Sequence, residues 1–283
     1  MKKLGTLALT LALTGAMGLP ALAAEDAPMV IAPSPNAYST AITLNSKALD
    51  TAAIPSASDA MLPLRLLAEA DHGSAYWDQE GNESWFTFGD DRIIVKFADN
   101  SIWLNDEQVK SQAEVTAGVT FVPASVLELM EGFTVTWADP TAEGFRSVVI
   151  TTPNNDPLVK AAYTITEEAG MGYSMRMDGA AMAEAYQLPA DSFEQVIGFF
   201  PMITSPDTLV IGKLAEGADV TAVKDALEAY RQSQEDTFSW YLSQNLPKVQ
   251  DARLLVEDGY VLFLIAEDAD AGEAAFRAFV DSL

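Results

Sequence analysis

Ile42-Thr43-Leu44-Asn45 returns as Ile102-Trp103-Leu104-Asn105, Leu62-Pro63-Leu64-Arg65-Leu66-Leu67 returns as Val122-Pro123-Ala124-Ser125-Val126-Leu127, and Trp77-Asp78 is answered by Trp137-Ala138-Asp139. All three echoes keep a spacing of sixty residues. One period shared by three landmarks marks a supersecondary unit used twice, each copy unable to bury its apolar face alone. In each copy a strand runs up to the asparagine and an apolar segment leads to Pro63 or Pro123. A short helix follows, because proline suits a first helical turn, where its missing N–H has no helical partner. Leu64, Leu67 and Ala68 then form one buried helix face and Val126, Leu127 and Met130 the other. A Trp strand and a further strand (84–88 and 147–151) complete each copy.

The doubled unit is expected over 41–151. Thr151-Thr152-Pro153-Asn154-Asn155-Asp156-Pro157 has turn chemistry and no apolar face, so 152–157 reads as a linker and 158–283 as a second domain. In the second domain, Val196–Ile203 and Leu209–Leu214 flank Ser205-Pro206-Asp207, and Arg253–Val256 and Tyr260–Ile265 flank Glu257-Asp258-Gly259. Both patterns predict hairpins. Asp219 is placed to cap a long helix whose apolar positions are Val220, Val223, Leu227, Tyr230 and Tyr241. Val261-Leu262-Phe263-Leu264-Ile265 lacks alternation, as a central strand covered on both faces would. A last helix is expected to bury Phe276, Phe279, Val280 and Leu283. The fold class is therefore α+β with two domains. The first is an internally duplicated strand and short-helix unit. The second is a β-β-α-β-β-α sheet, after an opening helical stretch, with helices on one face.

Met1-Lys2-Lys3, an apolar uncharged run from Leu4 to Leu19 and Ala21-Leu22-Ala23 fit a secretory signal cut after Ala23. A flexible leader rich in Ala, Pro and Ser follows over 24–40. Cleavage leaves 260 residues and takes the net charge from −25 to −27. No later run approaches the roughly 20 apolar residues of a spanning helix. The expected location is extracellular or wall-associated. A surface this acidic, with its few cations scattered singly, repels nucleic acid and anionic lipid.

The residue inventory narrows the chemistry. With no cysteine there are no disulfides, thiolate metal sites or thiol nucleophile, and the single histidine, His72, makes zinc and copper centres very hard to build. Asp71-His72-Gly73 reads as the turn ending the first helix, with Gly73 as its C-cap. Phosphate-binding glycine loops and nucleophile elbows are absent from the sequence. Glu267–Glu273 has the look of a calcium loop but lacks its ligand spacing, and acids opening the last helix favour its dipole. No catalytic residue, metal ligand or cofactor is assigned. A carboxylate-dependent enzyme on wall glycan or peptide, with Trp240-Tyr241 or Trp85-Phe86 as a sugar platform in the glycan case, forms the alternative reading.

Residues 41–151 resemble the copper amine oxidase N-terminal-like, or stalk, domain, on Leu62-Pro63-Leu64-Arg65, Trp77-Asp78, Thr120-Phe121-Val122-Pro123 and Trp137. The second copy departs from the pattern with Pro123-Ala124-Ser125. The resemblance implies no oxidase, whose activity needs a separate domain with several histidines. Residues 158–283 resemble the DUF4358 type of exported bacterial domain. The carriers are Phe200-Pro201-Met202-Ile203 with Ser205, Leu209-Val210-Ile211, Arg231 and Gly259-Tyr260-Val261-Leu262-Phe263. Members often carry a lipoprotein cysteine, which this chain lacks. The expected function is that of a secreted, non-catalytic binding or scaffold protein of the cell envelope. Its partner is a wall component or an extracellular protein, met through Pro201, Met202, Trp240 and Tyr241. An inhibitor or assembly factor of another secreted protein is a further alternative.

Overall fold

The computed structural model describes residues 39–49, 54–55, 60–139, 145–172, 174–189, 191–202 and 204–283. The expected signal, the leader up to residue 38, and Ile203 lie outside the described residues. The last two leader positions, 39 and 40, open the first strand instead.

The chain begins with β1 (Ser39–Leu44), β2 (Lys47–Leu49), β3 (Ile54–Pro55) and β4 (Ala60–Pro63). Helix α1 (Leu64–Ala70) leads into β5 (Ala75–Asp78), β6 (Glu83–Phe88), β7 (Asp91–Lys96), β8 (Ser101–Leu104) and β9 (Glu107–Gln112). Then come β10 (Glu114–Thr116), β11 (Val119–Pro123), the single turn α2 (Ala124–Leu127), β12 (Thr134–Trp137) and β13 (Phe145–Thr151). They form three sheets, ordered β12-β13-β1-β2, β10-β11-β4-β3 and β5-β6-β7-β8-β9. Strand β1 runs parallel to β13. One core serves all three sheets, joining Ile42 and Ile150, Leu62 and Val122, and Phe86, Ile93 and Ile102 to both short helices.

Both expected helix faces are buried: Leu64, Leu67 and Ala68 on α1, and Val126, Leu127 and Met130 at α2. Pro63 and Pro123 sit one position earlier than expected, as extended N-cap residues that close β4 and β11. A seven-residue helix and a four-residue one would not persist alone. Burial of these leucines and valines, at about 1.5–3 kcal/mol per side chain, holds them.

The meander β5 to β9 turns one face to this core. By register, its other face carries the row Tyr76, Trp85, Ile94, Trp103 and Gln108. Cations brace that row: the Arg92 guanidinium lies 5.3 Å from the centre of the Trp85 ring, and Lys96 Nζ lies 4.3 Å from that of Trp103. Trp85 and its neighbour Phe86 therefore point to opposite faces, with Phe86 in the core, and do not make a joint platform.

Helix α3 (Pro157–Glu168), β14 (Ser174–Asp178), α4 (Gly179–Ala185), β15 (Phe193–Pro201) and β16 (Thr208–Leu214) follow. The long α5 (Val220–Trp240), α6 (Leu246–Gln250), β17 (Arg253–Glu257), β18 (Tyr260–Ile265) and α7 (Ala269–Asp281) end the chain. The five strands form one antiparallel sheet ordered β14-β15-β16-β18-β17. Both expected hairpins are present, the second turning at Asp258 and Gly259, which have φ of 47° and 82°. Asp219 caps α5, its Oδ1 accepting from Ala222 N.

Four expectations need correction. Helices cover both faces of this sheet: α3 and α7 pack on Ile197, Leu209, Ile211, Leu262 and Leu264, while α4, α5 and α6 pack on Val196, Val210, Val261, Phe263 and Ile265. The unalternating run of β18 demands this, since each face presents apolar residues. On α5, Phe238 replaces Tyr241 in the buried stripe, because the helix ends at Trp240 and Tyr241 turns out with φ −123°. Val220, in the first turn, is exposed too, as is Leu283 beyond the end of α7.

Candidate functional site

The four residues singled out from the sequence come from two elements. Pro201 ends β15 and Met202 follows it, whereas Trp240 ends α5 and Tyr241 is its C-cap. Trp240 is 79% exposed, Met202 47% and Tyr241 46%, and the two aromatic rings lie 6.0 Å apart at 51°. Pro201 is half-buried and pairs with Ser174 across the sheet.

Polar contacts bind the two elements at this end of the sheet. Asn245 Nδ2, just past α5, donates to Thr204 O at 3.2 Å. The side chain of Asp207, 5% exposed, accepts from Lys248 Nζ at 2.8 Å and from Gly172 N at 2.7 Å. Glu267 also contacts Lys248 Nζ, at 3.1 Å. Burial opposes the Lys248 charge, but the bonds to Asp207 and Glu267 outweigh it and hold the ammonium above the ordinary lysine range. Leu242 adopts a left-handed conformation (φ 54°) and packs on the core, which turns Trp240 and Tyr241 toward solvent.

A second constellation escaped the sequence reading. Asp71, 2% exposed, follows α1, and its Oδ1 accepts from Asn45 Nδ2 and from Thr152 Oγ1, each at 2.8 Å. Asn45 Oδ1 accepts from Thr152 N at 3.0 Å, and Asn154 Nδ2 donates to Asp71 O at 2.8 Å. Arg176 of β14 donates to Asn154 Oδ1 at 2.6 Å. The His72 ring stacks on Tyr163 of α3, with centroids 3.6 Å apart and planes 5° from parallel. The segment read as a spacer thus contains buried Thr152 and Asn154, and Asp156 caps α3 through Leu158 N and Val159 N. Burial pushes the Asp71 carboxyl above the ordinary aspartate value, and the bonds from Thr152, Asn154 and Asn45 offset only part of that. Burial likewise lowers His72; Glu167 opposes the shift, and Lys47 and Arg176 add to it.

Gly73 is not the left-handed residue of its turn. His72 takes that conformation (φ 61°), and a Cβ on Gly73 would lie 1.8 Å from Thr87 O, so the glycine serves close approach of α1 to β6. The sequence could not separate the two, because either use calls for glycine.

The acids at 267–273 are engaged elsewhere. Asp268 caps α7, Asp270 and Glu273 pair with Arg253, and Glu267 with Lys248. Among the described residues no three His, Cys, Asp or Glu side chains gather as metal ligands, and no helix is long and apolar enough to cross a membrane.

Residues 43–143 match the family model of the copper amine oxidase N-terminal domain, and residues 168–266 match DUF4358, a domain of unknown function. The chain carries a copper amine oxidase N-terminal domain over 43–143 followed by a DUF4358 domain over 168–266. No curated protein and no solved structure matches it. Asn45, Asp71 and His72 belong to the copper amine oxidase N-terminal domain and Arg176 to the DUF4358 domain, while Thr152, Asn154 and Tyr163 fall between the two matches. The Met202, Trp240 and Tyr241 end lies within the DUF4358 domain.

Proposed function

We propose that the protein is a secreted, non-catalytic binding or scaffold protein of the cell envelope. Its DUF4358 domain holds a wall component or an extracellular protein at the Met202, Trp240 and Tyr241 end. The observation that carries this reading is the exposure of Trp240, 79%, next to exposed Tyr241 on a braced helix end. Exposed tryptophan and tyrosine supply large, rigid contact area at low entropic cost. The signal-like start of the sequence supports export. The copper amine oxidase N-terminal domain serves as an envelope-associated adaptor and, in this reading, is a doubled unit. Two observations favour the doubling: Leu62 lies opposite Val122 where β4 pairs with β11, and both Asn45 and Asn105 open a two-residue turn with positive φ.

Co-sedimentation of the mature chain with purified cell walls across a salt series tests the proposal. Retention is expected, together with a loss of about tenfold in affinity for Trp240→Ser combined with Tyr241→Ser. Absence of retention at every salt concentration, joined to failure to capture any secreted protein, removes the reading.

A further inference from the structure

A groove of about 520 Å³ runs beside β9, on the other domain from the proposed binding end. Its apolar lining is Leu104, Val109, Val126 and Leu129, and Leu129 is 58% exposed although it stands just past α2. Strand β9 is the last in its sheet and pairs only with β8 among the described residues. Its ladder with β8 is irregular: Val109 pairs with Ile102 and Gln112 with Ser101, so Lys110 and Ser111 bulge without strand partners. Bulge residues leave main-chain N–H and C=O groups outside the ladder. An apolar trough next to an unpaired strand edge is what strand addition of an extended chain requires. Main-chain bonds supply affinity, and a trough takes alternate side chains.

The charge around the groove selects the partner. Glu107 lines it, exposed Glu128 and Glu131 flank Leu129 in sequence, and Lys110 is the one cation among the lining residues. The whole chain carries −25. We propose that this groove binds an extended cationic segment of another protein, which adds as a strand to β9 and seats an apolar side chain against Leu129 and Val109.

A fluorescein-labelled, end-blocked peptide alternating valine and lysine is the probe, read by fluorescence polarisation against the full mature chain. Saturable binding is expected, with amide shifts centred on Glu107–Gln112. A matched valine and glutamate peptide is expected not to bind. Leu129→Glu is expected to weaken binding by about tenfold. That variant adds negative charge, so attraction to the acidic surface at large would strengthen instead, and unchanged or tighter binding overturns the proposal. So does self-association through β9, seen as a concentration-dependent mass that Leu129→Glu abolishes while the peptide leaves the amides still. The Trp240→Ser, Tyr241→Ser variant is expected to bind the peptide as the parent does, which separates this result from the wall-binding test.

Discussion

The turns at Asn45-Ser46 and Asn105-Asp106 are built alike. Each joins two strands through two residues of positive φ, 48° and 73° in the first and 47° and 69° in the second, as a type I′ turn needs. Each asparagine N–H donates to a carbonyl of the adjoining strand, Ile150 or Arg92. Each Oδ1 accepts a main-chain N–H, from Thr152 or Arg92, and each Nδ2 donates to an aspartate, Asp71 or Asp91. What differs is the neighbourhood. Asn105 is exposed, whereas Asn45 reaches a buried carboxylate that also receives Thr152, a residue five positions before α3. One local device is a surface turn in one place and the joint between two domains in the other. Position in the fold, and not turn chemistry, is therefore expected to set the energetic weight of such an asparagine.

The largest expected effect tests the backbone on which the joint rests. Gly73→Ala would drive a Cβ into Thr87 O at 1.8 Å and force α1 away from β6. A cost of about 3 kcal/mol or more in chemical denaturation is expected, because main chain lies on both sides and cannot yield as a rotamer can. A smaller cost than that of Asn45→Gly would mean that side-chain bonds alone hold Asp71 in place.

The direct comparison is Asn45→Gly against Asn105→Gly. Glycine keeps the positive φ at both turns, so the substitutions isolate the side-chain bonds. At Asn45 the loss strands a buried carboxylate partner and Thr152 N, for an expected cost of about 2 kcal/mol. At Asn105 water replaces the lost partners, and about 0.5 kcal/mol is expected. Trp77, Trp85, Trp103 and Trp137 report on the first domain and Trp240 on the second, so fluorescence of the Asn45→Gly chain should also show the two domains unfolding at separate denaturant midpoints. Equal costs at the two turns would dissolve the distinction drawn between them.

Much of this architecture was legible because it is local. The hairpins at 205–207 and 257–259, the faces of α1 and the Asp219 cap each depend on residues a few positions apart. The joint was not legible. Thr152 and Asn154 have the composition of a spacer, and only bonds to Asn45 and Asp71, 107 and 81 to 83 positions away, make them interior. Strand β14 was missed for a related reason. Ser174-Met175-Arg176-Met177 alternates without β-branched residues, and its place at a sheet edge comes from pairing with β15. At the candidate binding end the sequence supplied the residues, while Asn245 to Thr204, the contact that brings the two elements together, joins positions 41 apart.

The smallest effect concerns pH at the joint. His72 is the only histidine, so a single ring-proton resonance reports its titration. Its folded pKa is lowered from 6.5 by burial, so the folded chain favours the neutral ring stacked on Tyr163. The stabilisation is therefore present above pH 6.5 and is lost as pH falls through the lower folded value. Asp71 works in the opposite sense: its folded pKa is raised from 3.8, so its contribution is full below 3.8 and is lost as pH rises through the folded value. Lowering the pH from 7 should weaken the joint through His72, while protonation of Asp71 offsets part of that loss. A His72 midpoint at or above 6.5 by NMR would show that burial does not govern the ring, and the loss of stability expected on acidification would not occur.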